Sequence, residues 1–216
     1  MRKAVRELQA GIMDFQGIVF AYGNTKIPRS TLIVNLTSAL HCPAKKRGLC
    51  KVERKCYAKR DERIYKNYEN KNLQVEKWIN SASTIDIIKL MTVYIENAPE
   101  RITKIRLSEA GDFICQNQIR QWDKIAEHFK REKNIVTYTY TARADLDFRV
   151  APNIIINGSL PHILGAARMY KCIPANVFDN MLDLQPGQYK CPGSCKVCSL
   201  CASHQLMGGT IFAREH

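Results

Sequence analysis

Residues 104–141 read KIRLSEAGDFICQNQIRQWDKIAEHFKREKNIVTYTYT. Lys104–Leu107 is a short apolar and basic run of strand length. Ile119, Trp122, Ala126 and Phe129 follow at helical spacing. Asn134–Thr141 then alternates β-branched and aromatic residues, as a half-buried strand does. Strand, helix and strand in succession argue for an α/β fold with mostly parallel pairing.

The same alternation extends outward. Residues 17–22 (Gly-Ile-Val-Phe-Ala-Tyr) and 31–36 (Thr-Leu-Ile-Val-Asn-Leu) read as strands. So does Asn153–Asn157, ended by Gly158-Ser-Leu-Pro161. Tyr57, Ile64, Tyr65, Tyr68, Val75, Trp78 and Ile79 recur at helical spacing. Ser83 is placed to cap a second stripe of Ile87, Ile88, Met91, Tyr94 and Ile95, which Pro99 ends. The expected class is α/β, as a partial (β/α) barrel or a small, mostly parallel sheet. The strands are too few for a closed eight-stranded barrel. Residues 1–185 are expected to form this domain, and residues 186–216 a cysteine-rich metal-binding lobe packed on it.

That lobe carries Cys191-Pro-Gly-Ser-Cys195-Lys-Val-Cys198-Ser-Leu-Cys201. Neighbours at C-x2-C spacing rarely form structural disulfides, so the run reads as a thiolate cage. Structural zinc usually takes two C-x2-C knuckles separated by a longer loop. Intervals of two and three residues suit iron–sulfur ligation. A [4Fe–4S] cluster on these four cysteines is the first expectation, with zinc as the alternative.

Cys42, Cys50 and Cys56 form a second group, between an expected strand and a helix. Loops at that place in parallel α/β folds carry the sites. The group could take Cys172 as fourth ligand of a second metal site, or share one site with the C-terminal cysteines. Cys115 and Cys172 stand alone, and each alone suits a small buried apolar residue.

The chain has 216 residues with 33 Lys and Arg against 20 Asp and Glu, a net charge of +13. Lys45, Lys46, Arg47, Lys51, Arg54, Lys55, Lys59, Arg60 and Arg63 concentrate that charge in one segment. A local positive field of this kind attracts nucleic acid. The tyrosines at 57, 65 and 68 interleave with these bases, which suits base stacking or core packing. No apolar run approaches the ~18 residues of a membrane span. The start, Met1-Arg-Lys-Ala-Val-Arg, lacks the apolar core of a signal peptide. Nine cysteines without such a leader point to a reducing, cytoplasmic setting in which they act as ligands.

Arg106-Leu-Ser-Glu-Ala-Gly-Asp112 opens from a strand into a loop. Alternation puts Arg106, Ser108 and Ala110 on one face. Glu109 and Asp112 are candidate acid–base or metal-binding groups; Asp112 would alternatively cap the following helix. Arg143, at the end of the next strand, suits a phosphate, and Asn157-Gly-Ser159 could line the same rim.

Cys191-x3-Cys195-x2-Cys198 matches the triad of radical-SAM enzymes in spacing. In that family the triad follows the first barrel strand, an aromatic precedes its last cysteine, and one iron stays open for S-adenosylmethionine. Here the triad stands at the chain's end, Val197 takes the aromatic's place, and Cys201 could fill the open iron. Asn35-Leu-Thr-Ser-Ala-Leu-His-Cys42, Lys55-Cys-Tyr-Ala58, Arg106–Phe113 and the terminal cysteines together resemble the phage-encoded "gene product 88" domain family. Cys56-Tyr-Ala58 is also similar to phage three-cysteine proteins distantly related to radical-SAM barrels. The resemblance implies a phage or prophage origin, a host-cell cytoplasm and a metal-binding α/β domain, and supplies no reaction.

Three functions remain open. The first is an iron–sulfur protein contacting nucleic acid through its basic segment. The second is a redox or radical-SAM-like enzyme, served by a redox partner and with its site near Glu109, Asp112 and Arg143. The third is a zinc-bearing nucleic-acid-binding module without catalysis.

Overall fold

The computed structural model describes residues 20–51, 55–204 and 207–215. Strands β1 (Ala21–Tyr22) and β2 (Thr31–Val34) form a hairpin. Four helices follow: α1 (Pro43–Lys46), α2 (Tyr57–Ile64), α3 (Lys66–Ser81) and α4 (Thr84–Glu96). Then come β3 (Lys104–Leu107), α5 (Gln116–Lys133), β4 (Val136–Thr141) and β5 (Ile154–Gly158). The chain ends with β6 (Arg168–Ile173), α6 (Ala175–Asp179), β7 (Gln188–Lys190) and β8 (Thr210–Arg214).

The strands make one eight-stranded sheet, ordered β1-β2-β3-β4-β5-β6-β8-β7. Only β1–β2 is antiparallel among its pairs. The expected mixed α/β class with mostly parallel pairing is found. The separate C-terminal lobe is not confirmed. Residues 188–190 and 210–214 are strands of the common sheet, and the four terminal cysteines lie between them.

Local chemistry sets the element ends. Ser83 caps α4 as expected, its side chain accepting from the Asp86 N–H. Asn134 ends α5 in the left-handed conformation (φ 54°, ψ 42°), which delays β4 to Val136 rather than Asn134. The stripe from Tyr57 to Ile79 is two helices rather than one, broken at Tyr65 (φ −111°, ψ 88°). The break lets Asn72 Nδ2 donate to Glu62 Oε1 at 2.7 Å. In one straight helix the two residues would stand about 15 Å apart along the axis. Of the expected strand at 17–22, residues 17–19 lie outside the described residues.

One face of the sheet is the core. Leu32, Val34, Ile105, Leu107, Ile154 and Ile156 join one apolar cluster with Ile87, Leu90 and Met91 of α4 and Ile119, Trp122 and Phe129 of α5. Each such side chain contributes roughly 1.5–3 kcal/mol by leaving water. The opposite face carries Ile33, Arg106, Tyr138 and Ile155 in one register row, then Tyr140, Asn157 and Arg168 in the next. The chain's own C-terminal segment covers this face: Ala202 and Cys201 pack on Tyr138, Tyr140 and Ile155. The segment also reaches the sheet's opposite end, where the Cys195 N–H donates to the Lys26 carbonyl between β1 and β2 at 2.8 Å. Among the described residues, no helix is long and apolar enough to cross a membrane.

Candidate functional site

Between the second face and its covering segment lies a cavity of about 1210 Å³. Eight of the nine cysteines line it: Cys42, Cys50, Cys56, Cys172, Cys191, Cys195, Cys198 and Cys201. Cys42 immediately precedes α1, whose first residue is Pro43, and Cys56 immediately precedes α2. Cys172 lies on β6, and Cys191 follows β7 with its N–H on the Phe212 carbonyl at 2.7 Å. Cys201 sits in a short 3-10 turn, Leu200–Ala202. The exception is Cys115. It is exposed just before α5, and Cys172 is exposed on β6, so neither is a small buried apolar residue.

Buried polar groups hold both cysteine segments. Glu62, fully buried on α2, accepts from the Ser38 hydroxyl and from the Ala39 and Leu40 N–H groups. It thereby fixes the loop that leads to Cys42. On the other side, Asn157 Nδ2 donates to the Cys201 carbonyl at 3.0 Å and to the Thr139 carbonyl at 2.9 Å. The Arg168 guanidinium donates to the Leu200 and Ser203 carbonyls, bracketing the same turn.

The two cysteine groups meet electrostatically through Cys172. Partial desolvation raises its pKa first, and Glu215, Cys191 and Cys50 raise it further. Burial also pushes Cys42 up to about 11, with Asp112 and Cys50 adding to the rise. Cys201 is pushed up to about 11 by burial, although the Tyr140 hydroxyl beside it draws it back down. These shifts favour the protonated thiols of Cys42, Cys172 and Cys201, and ligation would release their protons. Among the described residues, no three His, Cys, Asp or Glu side chains are drawn together closely enough to hold a metal ion. Four thiolates on one zinc would stand about 4 Å apart, as Zn–S bonds of about 2.3 Å require. A four-iron cluster seats each thiolate on its own iron and demands less convergence.

Glu109 and Asp112 both line the cavity. Glu109 accepts from Asn24 Nδ2, and its carbonyl accepts from the Tyr57 hydroxyl. Asp112 is buried and accepts from the Phe113 N–H, the Thr141 hydroxyl and the Ala142 N–H. Burial pushes its carboxyl up to about 6 against these donors. It does not cap α5; Cys115 stands at that position without a side-chain cap bond. Gly111 between them is required by space as well as by its φ of +79°. A Cβ there would lie 2.0 Å from Thr37 Oγ1.

The basic candidates divide. Lys55 and Arg60 line the cavity mouth. Lys46, Arg47, Lys51 and Arg63 are exposed elsewhere on the same segment, Lys45 and Lys59 are half-buried, and Arg54 lies outside the described residues. Arg143 is not offered to a phosphate. Its guanidinium is 1% exposed, paired with Asp145 at 2.7 Å and donating to the Phe113 and Ile114 carbonyls.

Sequence reasoning missed Glu62, Arg168 and the cavity tyrosines 138, 140 and 170. The alternation of 136–141 was the available signal for Tyr138 and Tyr140, because the threonines between them take the helix side. Nothing local marked Glu62 or Arg168, whose partners lie far away in the chain.

No curated protein and no solved structure matches the chain. Neither supports the resemblance to radical-SAM enzymes. A family model described as gene product 88 does match, over residues 18–197. The match includes Cys42, Cys50 and Cys56 and stops short of Cys198 and Cys201. Since it spans most of the 216 residues, the chain belongs to the gene product 88 family of phage gene products.

Proposed function

We propose that the protein is an iron–sulfur protein whose cavity holds the cluster beside a space for a small molecule, in a partial (β/α) barrel. One observation carries the reading: two cysteine groups far apart in sequence line the same cavity. Cys191, Cys195, Cys198 and Cys201 would hold a [4Fe–4S] cluster. Cys42, Cys50 and Cys56, with Cys172 between the groups, would serve a second. A bound cluster supplies one-electron chemistry, tuned by hydrogen bonds and burial. Arg168 and Asn157 position the turn bearing Cys201, and Glu62 positions the loop bearing Cys42.

The reading favours a redox or radical enzyme, because Arg106, Ser108 and the tyrosines leave room beside the thiols. The exposed bases of residues 45–63 around Lys55 and Arg60 support nucleic-acid contact as a second role. Binding to DNA or RNA through them would weaken steeply as salt rises.

The test is anaerobic purification with an absorption spectrum and iron, sulfide and zinc analysis. A brown protein with about four irons and four sulfides per chain is expected for the first cluster, and about eight of each for two. In Cys198→Ser the chromophore should be lost. Full iron retention in that variant, or a colourless zinc protein, overturns the cluster assignment.

A further inference from the structure

The cavity wall opposite the terminal cysteines holds hydrogen-bond donors without acceptors. Arg106 enters it from β3, between Ile33 and Tyr138 in register. Its guanidinium carbon lies 5.0 Å from the Tyr140 ring centroid. Its Nε is buried without a hydrogen-bond partner, and the side chain makes no ion pair among the described residues. Ser108, two residues further on, lines the same wall. It is 6% exposed and its hydroxyl also lacks a partner. Its backbone is left-handed at φ 59°, a conformation that serine adopts only where its surroundings impose it. Lys71 reaches the cavity from α3, again without an ion pair among the described residues.

Leaving buried donors unpaired is costly, and native structures rarely do so without a reason. Glu109 lies within electrostatic reach of Arg106 and Lys71 but hydrogen-bonds to neither. Its carboxylate takes a bond from Asn24, and that of Asp112 takes its three from Phe113, Thr141 and Ala142. What is missing is a hydrogen-bond acceptor for Arg106 Nε and the Ser108 hydroxyl. We infer that Arg106 and Ser108, with Lys71, bind the oxyanion end, carboxylate or phosphate, of a small organic ligand in the cavity. Arginine forks suit both groups. The volume of about 1210 Å³ exceeds the roughly 300–1,000 Å³ of ordinary small-molecule pockets.

Calorimetric titration of the intact protein with malonate and with inorganic phosphate tests this, with chloride matching the ionic strength. Saturable binding of at least one anion is expected. Malonate alone indicates a carboxylate ligand, phosphate alone a phosphoryl ligand. Arg106→Gln should weaken binding by about ten-fold, the worth of one charged hydrogen bond. Ser108→Gly should weaken it several-fold while folding at least as well, because glycine accepts a left-handed backbone. Lys124→Gln, exposed on α5, should bind as the parent does. If neither anion saturates, if Ser108→Gly binds undiminished, or if Lys124→Gln weakens binding equally, the inference fails. Should Arg106→Gln not fold, Ser108→Gly decides alone. The outcome is separate from the cluster: a brown protein that binds neither anion loses only this site, and a colourless one that binds malonate keeps it.

Discussion

Ile105 and Leu107 of β3 enter the helix-covered face of the sheet, whereas Arg106 and Ser108 of the same strand enter the cavity. On β5 the division repeats, with Ile154 and Ile156 against the helices and Ile155 and Asn157 toward the cysteine segment. The first face is apolar and closely packed. The second carries Arg106 Nε, the Ser108 hydroxyl, Asn157 Oδ1 and Arg168 Nε without partners, against Trp122 Nε1 and Thr137 Oγ1 on the first. One set of strands thus supplies stability on one side and unfilled chemistry on the other. Stability depends on the helix face, so the cavity face is free to keep groups that packing alone would not choose.

The largest expected effect tests the helix face. Trp122 is fully buried there, and Trp122→Ala should lower unfolding stability by about 3–5 kcal/mol in urea titration. A loss below about 1 kcal/mol would erase the contrast between the faces. Glu62→Ala probes the junction of the fold and the cysteine loop. It strands the donors of Ser38, Ala39, Leu40 and Asn72, at a cost of about 3 kcal/mol. Cys42 alkylation should quicken beyond what global unfolding explains; a matched change at Cys201 would deny Glu62 its local role.

Asp112 sharpens the comparison through pH. Its folded pKa of about 6 lies above the ordinary 3.8, so the folded state holds the proton more tightly. Its contribution is present below about pH 4 and is lost as pH rises through 6, by no more than about 3 kcal/mol. In Asp112→Asn this part of the stability–pH profile should flatten, and an unchanged slope would assign it to other groups. The smallest effect is on the cavity face. Asn157→Ala removes the bonds to the Cys201 and Thr139 carbonyls, for about 1 kcal/mol. Alkylation of Cys201 should accelerate while the urea midpoint barely moves. A large midpoint shift would mean that this clamp belongs to the core.

The helix face was legible in the sequence because burial writes periodicity. Lys104–Leu107 and the α5 stripe of Ile119, Trp122, Ala126 and Phe129 were read from spacing alone. The strands β6, β7 and β8 were not. Arg168-Met-Tyr-Lys-Cys-Ile173 sets a charged residue on each face, and Gln188–Lys190 is too short to show a period. The cysteines were legible as ligand types, but their meeting in one cavity depends on the C-terminal segment crossing the sheet. Arg143 misled because a strand-end arginine reads alike when it faces solvent and when Asp145, two residues on, pairs with it.

The bond from the Cys195 N–H to the Lys26 carbonyl ties the last part of the chain to the first described strand pair. During synthesis at about 5–20 residues per second, β1 to β5 leave the ribosome before the terminal cysteines exist. Cys42, Cys50 and Cys56 are then already made, while the segment that covers the cavity is not. That lid arrives last, so anything enclosed beneath must be delivered before that seam closes or pass through the mouth afterwards.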